Sequence, residues 1–476
     1  MNAQEISRRQ LLCDTAVTAA LSLGTSVALG QSPTGNGLMA GSAETTITPT
    51  PVGTVLIGPM RESTGVHDDL FARVLVISDG KKRVAIVTID FLGLDFCFSD
   101  QILAEIERQT GIPRTRIMIN CSHTHSAPLT IPWRKWEKKL DKPWHKTMPG
   151  KIAAAVSQAA GTLQKAILRY GREPIQIGFN RRLPTETGVI MRPNPHGAVV
   201  PWVDVLCVEA ADGKPIAILV SHAAHPVIVH GASTLITADY PGFAIAAMRK
   251  NMGSDGVFMF AQACGGNING FPLRGGIRAA DAAGKDLGSA AERAVRKKGP
   301  AIKGNKLLDI SSELSLPLQQ PPSAQECEKL LAKDPQNDFK RELLEIARSK
   351  KQPNMKFAMR AFAVADELCI LGLSHEVFAE YQLLVDKISP FKHNMVFAYT
   401  NGCEGYVGTR KDYELGDRGG YETAPLGAPL LYHGRLAPRP AAEAQIREGI
   451  TTHVPHLRLK VRSRSGGMPS RWRSFR

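Results

Sequence analysis

Short apolar runs rich in Val and Ile alternate with helix-like segments along most of this chain, and that alternation is what most limits its fold. "ARVLVISDG" and "KRVAIVTIDFLGL" read as a hairpin turning at Asp79-Gly80. "SDQILAEIERQTG" reads as a helix capped by Ser99 or Asp100 and ended by Gly111. "RIMINCS" is a strand and "GKIAAAVSQAAGTLQKAIL" an amphipathic helix. Further on, "DVLCVEA", "PIAILVSHAAH" and "GVFMFAQA" have the composition of buried strands, with a helix, "YPGFAIAAMRKNM", before the last of them. Residues 322–350 read as one charged helix after a Pro/Ser opening, and two strands lead from "FAMRAF" to "SHEVF". No fixed-period repeat interrupts the pattern. The expectation is an α/β fold: a mixed β-sheet flanked by helices in a single large domain over residues 44–456.

The two ends differ from this body. Residues 1–30 carry a twin arginine, Arg8-Arg9, ahead of a modestly apolar run, with small residues at Ala28 and Gly30 before Gln31. They read as a twin-arginine-type signal peptide, which predicts export to the periplasm or beyond. Residues 31–43 read as a Gly/Ser-rich linker, and 457–476 as a disordered basic tail. That tail explains part of the net charge of +15. With no helix-turn-helix, zinc-finger or RNA-recognition signature, no nucleic-acid partner is expected. The eight cysteines are scattered without a C-x-x-C pair, which argues against a zinc ribbon or a disulfide scaffold.

The chemistry-bearing residues stand where strands end. "NCSHTHSAP" places His123 and His125 just past one strand. At i and i+2 on extended chain, both imidazoles face one side, which suits metal binding or proton transfer. A polar loop with two solvated histidines would read the same in isolation. However, "ILVSHAAHPVIVHG" ends another strand with His222, His225 and His230, and "ILGLSHEVF" ends a third with His375 and Glu376. "FAQACGGNING" closes a fourth in a glycine-rich loop. Ligands of open α/β sheets gather at the carboxyl ends of strands, so four such ends predict a shared metal site. Zinc accepts imidazole nitrogen and carboxylate oxygen and lowers the pKa of bound water to about 7. Gly265 and Gly266 would let backbone N–H groups approach a developing oxyanion.

These residues also carry a family resemblance. "TITPTPVG", "SHTHSAP", "FNRRLP", "FAQACGGNIN", "LGLSHEVFAEY" and "GGYE", in that order, resemble the N-terminal catalytic domain of the neutral/alkaline non-lysosomal ceramidase family over residues 44 to about 455. The resemblance implies a zinc-dependent amide hydrolase with His123, His225, Glu376 and Tyr421 as metal ligands and His125 assisting proton transfer. It implies a lipid or other small-molecule substrate, and such a substrate is compatible with peripheral membrane contact. His375 has no counterpart in the family's Pro-Gly-Glu form and is read either as a group supporting the site from behind or, in preference, as a surface residue.

Two departures stand out. The family's Gly-Asp-x-Ser loop is Gly266-Asn267-Ile268-Asn269 here, so an amide replaces the serine. Asn269 can donate a hydrogen bond but cannot act as a nucleophile, which leaves metal-activated water as the expected attacking group. Cys264 is a thiol nearby, either a nucleophile or a small buried residue. The chain also stops before the C-terminal β-sandwich of the family's full ceramidases. The leading expectation is an exported zinc hydrolase that cleaves an amide, with an N-acyl sphingolipid as the model substrate. The alternatives are a zinc esterase or deacetylase and a non-catalytic metal-binding homologue.

Overall fold

The computed structural model describes residues 37–464, apart from 51–52, 132–139, 254 and 350–353. The chain divides into Met1–Pro33, outside the described residues together with the expected signal, and Thr34–Arg476, which holds all of them. The larger sheet has eight strands: β1 (Met39–Thr46), β2 (Phe71–Ser78), β3 (Arg83–Ile89), β4 (Ile117–Cys121), β5 (Gln164–Pro174), β6 (Trp202–Ala210), β7 (Pro215–His222) and β8 (Val257–Gln262). Their order is β8-β7-β6-β5-β1-β2-β3-β4. A second sheet runs β9 (Leu307–Pro317), β10 (Asn354–Val364), β11 (Leu368–Leu373), β12 (His393–Phe397), in that order. The expected α/β class is thus observed, and the hairpin at Asp79-Gly80 forms as β2 and β3.

The sheets stack on one another. Leu75, Ile77, Met118, Leu219 and Met259 of the first bury their apolar faces against Phe362, Ile370, Met395 and Phe397 of the second. Helices α1 (Phe96–Thr110) and α2 (Lys142–Gly161) cover one half of the large sheet's outer face. Helices α3 (Asp239–Met252) and α4 (Ile277–Arg296) cover the other half. Two shorter helices, α5 (Ala324–Ala332) and α6 (Asp338–Ser349), pack on each other, and α7 (Ala379–Ile388) precedes β12. The last helix, α8 (Ala441–Arg464), lays Ile446, Ile450, Val454 and Leu457 on the outer face of the second sheet.

Most strand neighbours are antiparallel, but β3/β4, β7/β8 and β11/β12 are parallel. A parallel neighbour needs a crossover, usually a helix; α1, α3 and α7 supply the three. Asn120 joins the three units. Its side-chain amide donates to the carbonyls of Gln262 (3.1 Å) and Ala398 (2.6 Å), and its Oδ1 accepts from the Gln262 amide at 2.8 Å. Strands β4 and β8 are opposite edges of the large sheet, so these bonds require the sheet to curl until its edges meet. The carboxyl ends of all three parallel pairs then share one corner.

Several local expectations change. Asp95 rather than Ser99 or Asp100 caps α1, accepting from the Phe98 amide, and Gly111 ends it in left-handed geometry as expected. The segment read as one helix to residue 168 stops at Gly161, and "QKAIL" opens β5, where pairing with β1 and β6 overrides helical propensity. The charged helix over 322–350 is two helices, broken near Pro335, which cannot donate to a helix interior, and restarted where Asn337 accepts from Phe339 and Lys340. The stretch read as linker 31–43 contains the start of β1, with Met39 and Ala40 buried. The tail read as starting at residue 457 is helical to Arg464, because fully buried Leu457 extends the apolar face of α8. Residues 465–476 lie outside the described residues.

Candidate active site

Each of the six strand ends in that corner contributes. After β3, the Leu92 carbonyl meets His123 Nδ1 at 2.6 Å. After β4 come His123 itself and His125. After β7 comes His225, whose Nδ1 lies 2.7 Å from the Gly265 carbonyl and 3.1 Å from that of Ile268, both in the loop following β8. After β11 comes Glu376, and after β12 Tyr399, whose ring centroid is 4.3 Å from that of His123. His123 (φ 69°), His375 (φ 71°) and Tyr399 (φ 51°) are all in left-handed backbone geometry, which is uncommon outside glycine and tends to cluster at functional sites.

With their Nδ1 atoms turned toward carbonyls, His123 and His225 both present Nε2 to one carboxylate oxygen. Glu376 Oε2 stands 3.3 Å from His123 Nε2 and 3.0 Å from His225 Nε2. Burial opposes ionisation of Glu376, yet the two histidines hold its carboxyl well below the usual range. Burial, then the charge of Arg181, pushes His225 down to about 3. His125 is also held well below its ordinary value, first by burial and then by His123, His230 and His225. The side-chain nitrogens Nε2 of His123 and His125 are buried with no hydrogen-bond partner.

This donor set fits zinc. Ligands at tetrahedral corners about 2.0–2.1 Å from zinc stand about 3.3–3.4 Å apart, close to the separations around Glu376 Oε2. A carbonyl behind each histidine fixes ring and tautomer as metal-binding histidines require. His125 offers a third nitrogen, within 4.8 Å of one on each of the other two histidines. The shorter contacts favour Glu376 as the third donor, with His125 one step outside. The corner opens into a cavity of about 150 Å³ lined by His123, His125, His230, Glu376, Tyr406 and Tyr421, among others.

Beside it, Arg181 donates to Glu422 Oε1 (2.7 Å) and to Asn269 Oδ1 (2.9 Å), while Arg182 donates to Glu422 Oε2 at 2.5 Å. All four residues are buried.

Residues 39–272 match a family model described as neutral/alkaline non-lysosomal ceramidase, N-terminal. Over those residues the chain belongs to that family. The fold is similar to the crystal structure of neutral ceramidase from Pseudomonas aeruginosa, with a TM-score of 0.69 at 17% identity, covering 90% of this chain and 75% of that one. It is equally similar to a ceramidase complexed with C2, with a TM-score of 0.70 at 16% identity, covering 90% and 76%. At such identity the likeness concerns the fold. No curated protein matches the chain.

Within this ceramidase fold, His123, His225 and Glu376 converge, and His125 and Tyr421 line the same cavity. Gly265 and Gly266 do not serve as oxyanion donors here. Their N–H groups donate to the carbonyls of Ala263 (2.8 Å) and Val377 (2.9 Å). Their place is steric and positional: Gly265 orients His225 through its carbonyl, and a Cβ on Gly266 would collide with the Glu376 backbone. Cys264 is fully buried and its thiol is pushed far up by burial, so it is a core residue and no nucleophile. His375, read as a surface residue, is fully buried between the Lys356 carbonyl and the Glu404 amide. His222 bonds the Trp202 carbonyl and is structural, whereas His230 stacks on His125 with centroids 5.0 Å apart.

Two cavity residues escaped sequence reasoning. Tyr406 pairs in register with Glu376 across a short parallel ladder, nearer the donors in topology than Tyr421, whose ring neighbours are Tyr406 and Tyr432. His433, far along the chain, is pushed down to about 3 by burial and then by Arg435. The "EGYV" context of Tyr406, preceded by a glycine at a sheet end, was the available signal.

Proposed function

We propose that this chain is an exported, zinc-dependent amide hydrolase acting on an N-acyl lipid of the ceramide type. The observation that supports it most is the convergence of His123 Nε2, His225 Nε2 and Glu376 Oε2 in a family whose relatives are ceramidases. When bound, zinc would polarise the amide carbonyl and activate water. The rest of the work belongs to the chain. His123, His225 and Glu376 hold the metal. A phenol completes the set, and Tyr406, opposite Glu376 in register, is better placed for this than Tyr421. His125, with a free buried Nε2 facing the cavity, takes a proton from the attacking water and returns it to the leaving amine. Asn269, held by Arg181, offers its amide N–H to the substrate rather than a nucleophile. The twin arginine at Arg8-Arg9 supports export.

The test is metal analysis of the purified chain together with hydrolysis of N-acyl sphingosines and matched esters. About one zinc per chain with amide cleavage supports the reading. Ester cleavage alone points to an esterase, and zinc without hydrolysis to a non-catalytic homologue. Tyr406→Phe should lower zinc content and Tyr421→Phe should spare it; the reverse result returns the fourth position to Tyr421. Cell fractionation of an Arg8→Lys, Arg9→Lys variant checks export, which fails as a reading if the protein still leaves the cytoplasm.

A further inference from the structure

Arg182 also lines a second cavity, of about 340 Å³, that shares no lining residue with the cavity at the histidine corner. Its volume is that of a small-molecule site. Four separate stretches build it. One is 180–197, which carries the hairpin Arg182–Thr185 with Gly188–Met191. Another is 411–418, from the short helix Arg410–Glu414 into the turn that follows it. The two touch at Gly188, where a Cβ would lie 2.9 Å from the Arg418 carbonyl oxygen. The other contributors are Asn267 and Glu380, the latter in the first turn of α7.

Most polar groups of the lining hold the walls themselves. Asn180 donates to the Ala198 carbonyl (2.9 Å) and accepts from the Arg182 amide (3.0 Å), while Asn194 donates to the Arg182 carbonyl (2.8 Å). The Arg182 guanidinium is fully engaged. It meets Asp412 through Nε (3.2 Å) and Nη2 (3.0 Å), Glu422 through Nη1, and the Gly419 carbonyl through Nη2 (3.0 Å). Asp412 also accepts from the amide and hydroxyl of Thr409, at 2.9 and 2.7 Å.

Three charged groups of the lining are left over. Glu380 accepts from Asn267 Nδ2 at 2.9 Å, but no lysine, arginine or histidine is within ion-pair distance of it among the described residues. Burial pushes its carboxyl up to about 7, and the charge of Asp412 acts in the same direction. Lys411 and Arg418 are exposed, and neither is within ion-pair distance of a carboxylate among the described residues. A largely buried carboxylate without a counter-cation is costly, and a ligand's ammonium would offset that cost. Two unpaired cations on the same cavity suit an anionic group. Pro184, Val189 and Leu415 supply apolar lining, which suits a short carbon spacer between two charged ends.

We propose that this cavity is a second ligand site, separate from the histidine corner, and that it takes a small zwitterion. The ammonium end meets Glu380, and the phosphate or sulfonate end meets Lys411 and Arg418. The site stands apart from the hydrolase reading, since none of these three residues touches the His123, His225 and Glu376 cluster.

Isothermal titration calorimetry of the full chain tests it with two zwitterions, O-phosphoethanolamine and taurine, and two half-probes, ethanolamine and inorganic phosphate. Both zwitterions should bind, and each half-probe should bind roughly tenfold or more weakly than O-phosphoethanolamine, the worth of one charged contact. Glu380→Gln should weaken the zwitterions and ethanolamine by roughly tenfold or more and leave phosphate unchanged. Lys411→Gln/Arg418→Gln should weaken the zwitterions and phosphate and leave ethanolamine unchanged. This crossed pattern separates contact with the ligand from general damage, which would weaken all four probes and lower the melting temperature; where one variant is damaged in this way, the other decides. Glycerophosphoethanolamine separates the sources: binding as tight as that of O-phosphoethanolamine assigns the site to a zwitterionic phosphodiester, and weaker binding assigns it to a free zwitterion. Absence of binding by either zwitterion to the wild type, or wild-type affinity for both in a folded variant, overturns the site. Calorimetry needs no turnover, so this failure leaves the hydrolase reading intact, and a failed hydrolysis assay leaves the second site intact.

Discussion

Two buried polar clusters lie side by side in this protein, and they differ in what they lack. Around Arg181, the guanidinium has Glu422 and Asn269, and Arg182 shares the same glutamate. Positive charge faces negative charge, and the cluster is nearly complete within the chain. Around Glu376, one carboxylate oxygen faces two imidazole nitrogens, one of which has no hydrogen bond. Buried polar groups are ordinarily satisfied, and here two imidazole Nε2 atoms crowd one carboxylate oxygen while their Nδ1 atoms are turned to backbone carbonyls. The first cluster is built to hold a shape. The second has the donor set of a metal site, which a bound cation would complete. Each cluster leaves one buried nitrogen without a partner, Arg181 Nη2 in the first and His123 Nε2 in the second, so it is the charges set against each other that tell these adjacent sites apart.

That contrast can be broken by experiment. The largest effect is expected at His225→Ala, which should weaken zinc binding by more than roughly 100-fold, beyond the usual cost of losing an outer partner, and remove turnover with it; metal analysis after dialysis decides. If the zinc content is unchanged, the Glu376 cluster is not the metal site. Next is His125→Ala, expected to lower turnover roughly 10²- to 10⁴-fold with metal retained. Loss of metal in that variant would make His125 a ligand in place of Glu376. In the other cluster, Glu422→Gln should leave zinc in place and destabilise the fold by about 3–5 kcal/mol, because two buried arginines lose their counter-charge; urea unfolding measures it. Asn269→Ala should cost only about tenfold in turnover, the worth of one hydrogen bond, and an enzyme as inactive as the His225 variant would show that Asn269 does more than donate. The smallest effect concerns pH. Burial pushes His222 down to about 4, while an unfolded histidine titrates near 6.5. The unfolded state therefore takes up this proton first as pH falls. Stability is full above about 6.5 and falls toward pH 4 by up to about 1.4 kcal/mol per unit for this group. Denaturant unfolding at pH 7 and 5 should show a smaller drop in His222→Gln than in wild type.

Strand identity was legible because β-branched runs have few other uses, and the crossover helices α1 and α3 were legible as helix-like runs between strands, with Gly111 ending the first as expected. The chemistry at strand ends was legible for the same reason: His123, His225 and Glu376 follow runs that can only be strands. What local pattern could not carry was anything set by pairing partners. "QKAIL" looks helical alone and becomes β5 because β1 and β6 flank it. Gly265 and Gly266 look like free donors until the Ala263 and Val377 carbonyls are seen to take their N–H groups. His375 looks exposed until Lys356 and Glu404 close over it.

The sequence by itself determined the fold class, the order of the elements and which residue types would stand at the carboxyl edge, since these follow from periodicity and composition along the chain. Only the tertiary structure decided which of those residues meet. The curl that brings β4 against β8, fastened by Asn120, sets whether His123 and His225 face one carboxylate, and the ladder opposite Glu376 sets that Tyr406 stands beside it. Convergence of this kind depends on distances between segments 100 or more residues apart in the chain (about 100 separate His123 from His225). Such distances are fixed by packing, which no local propensity encodes.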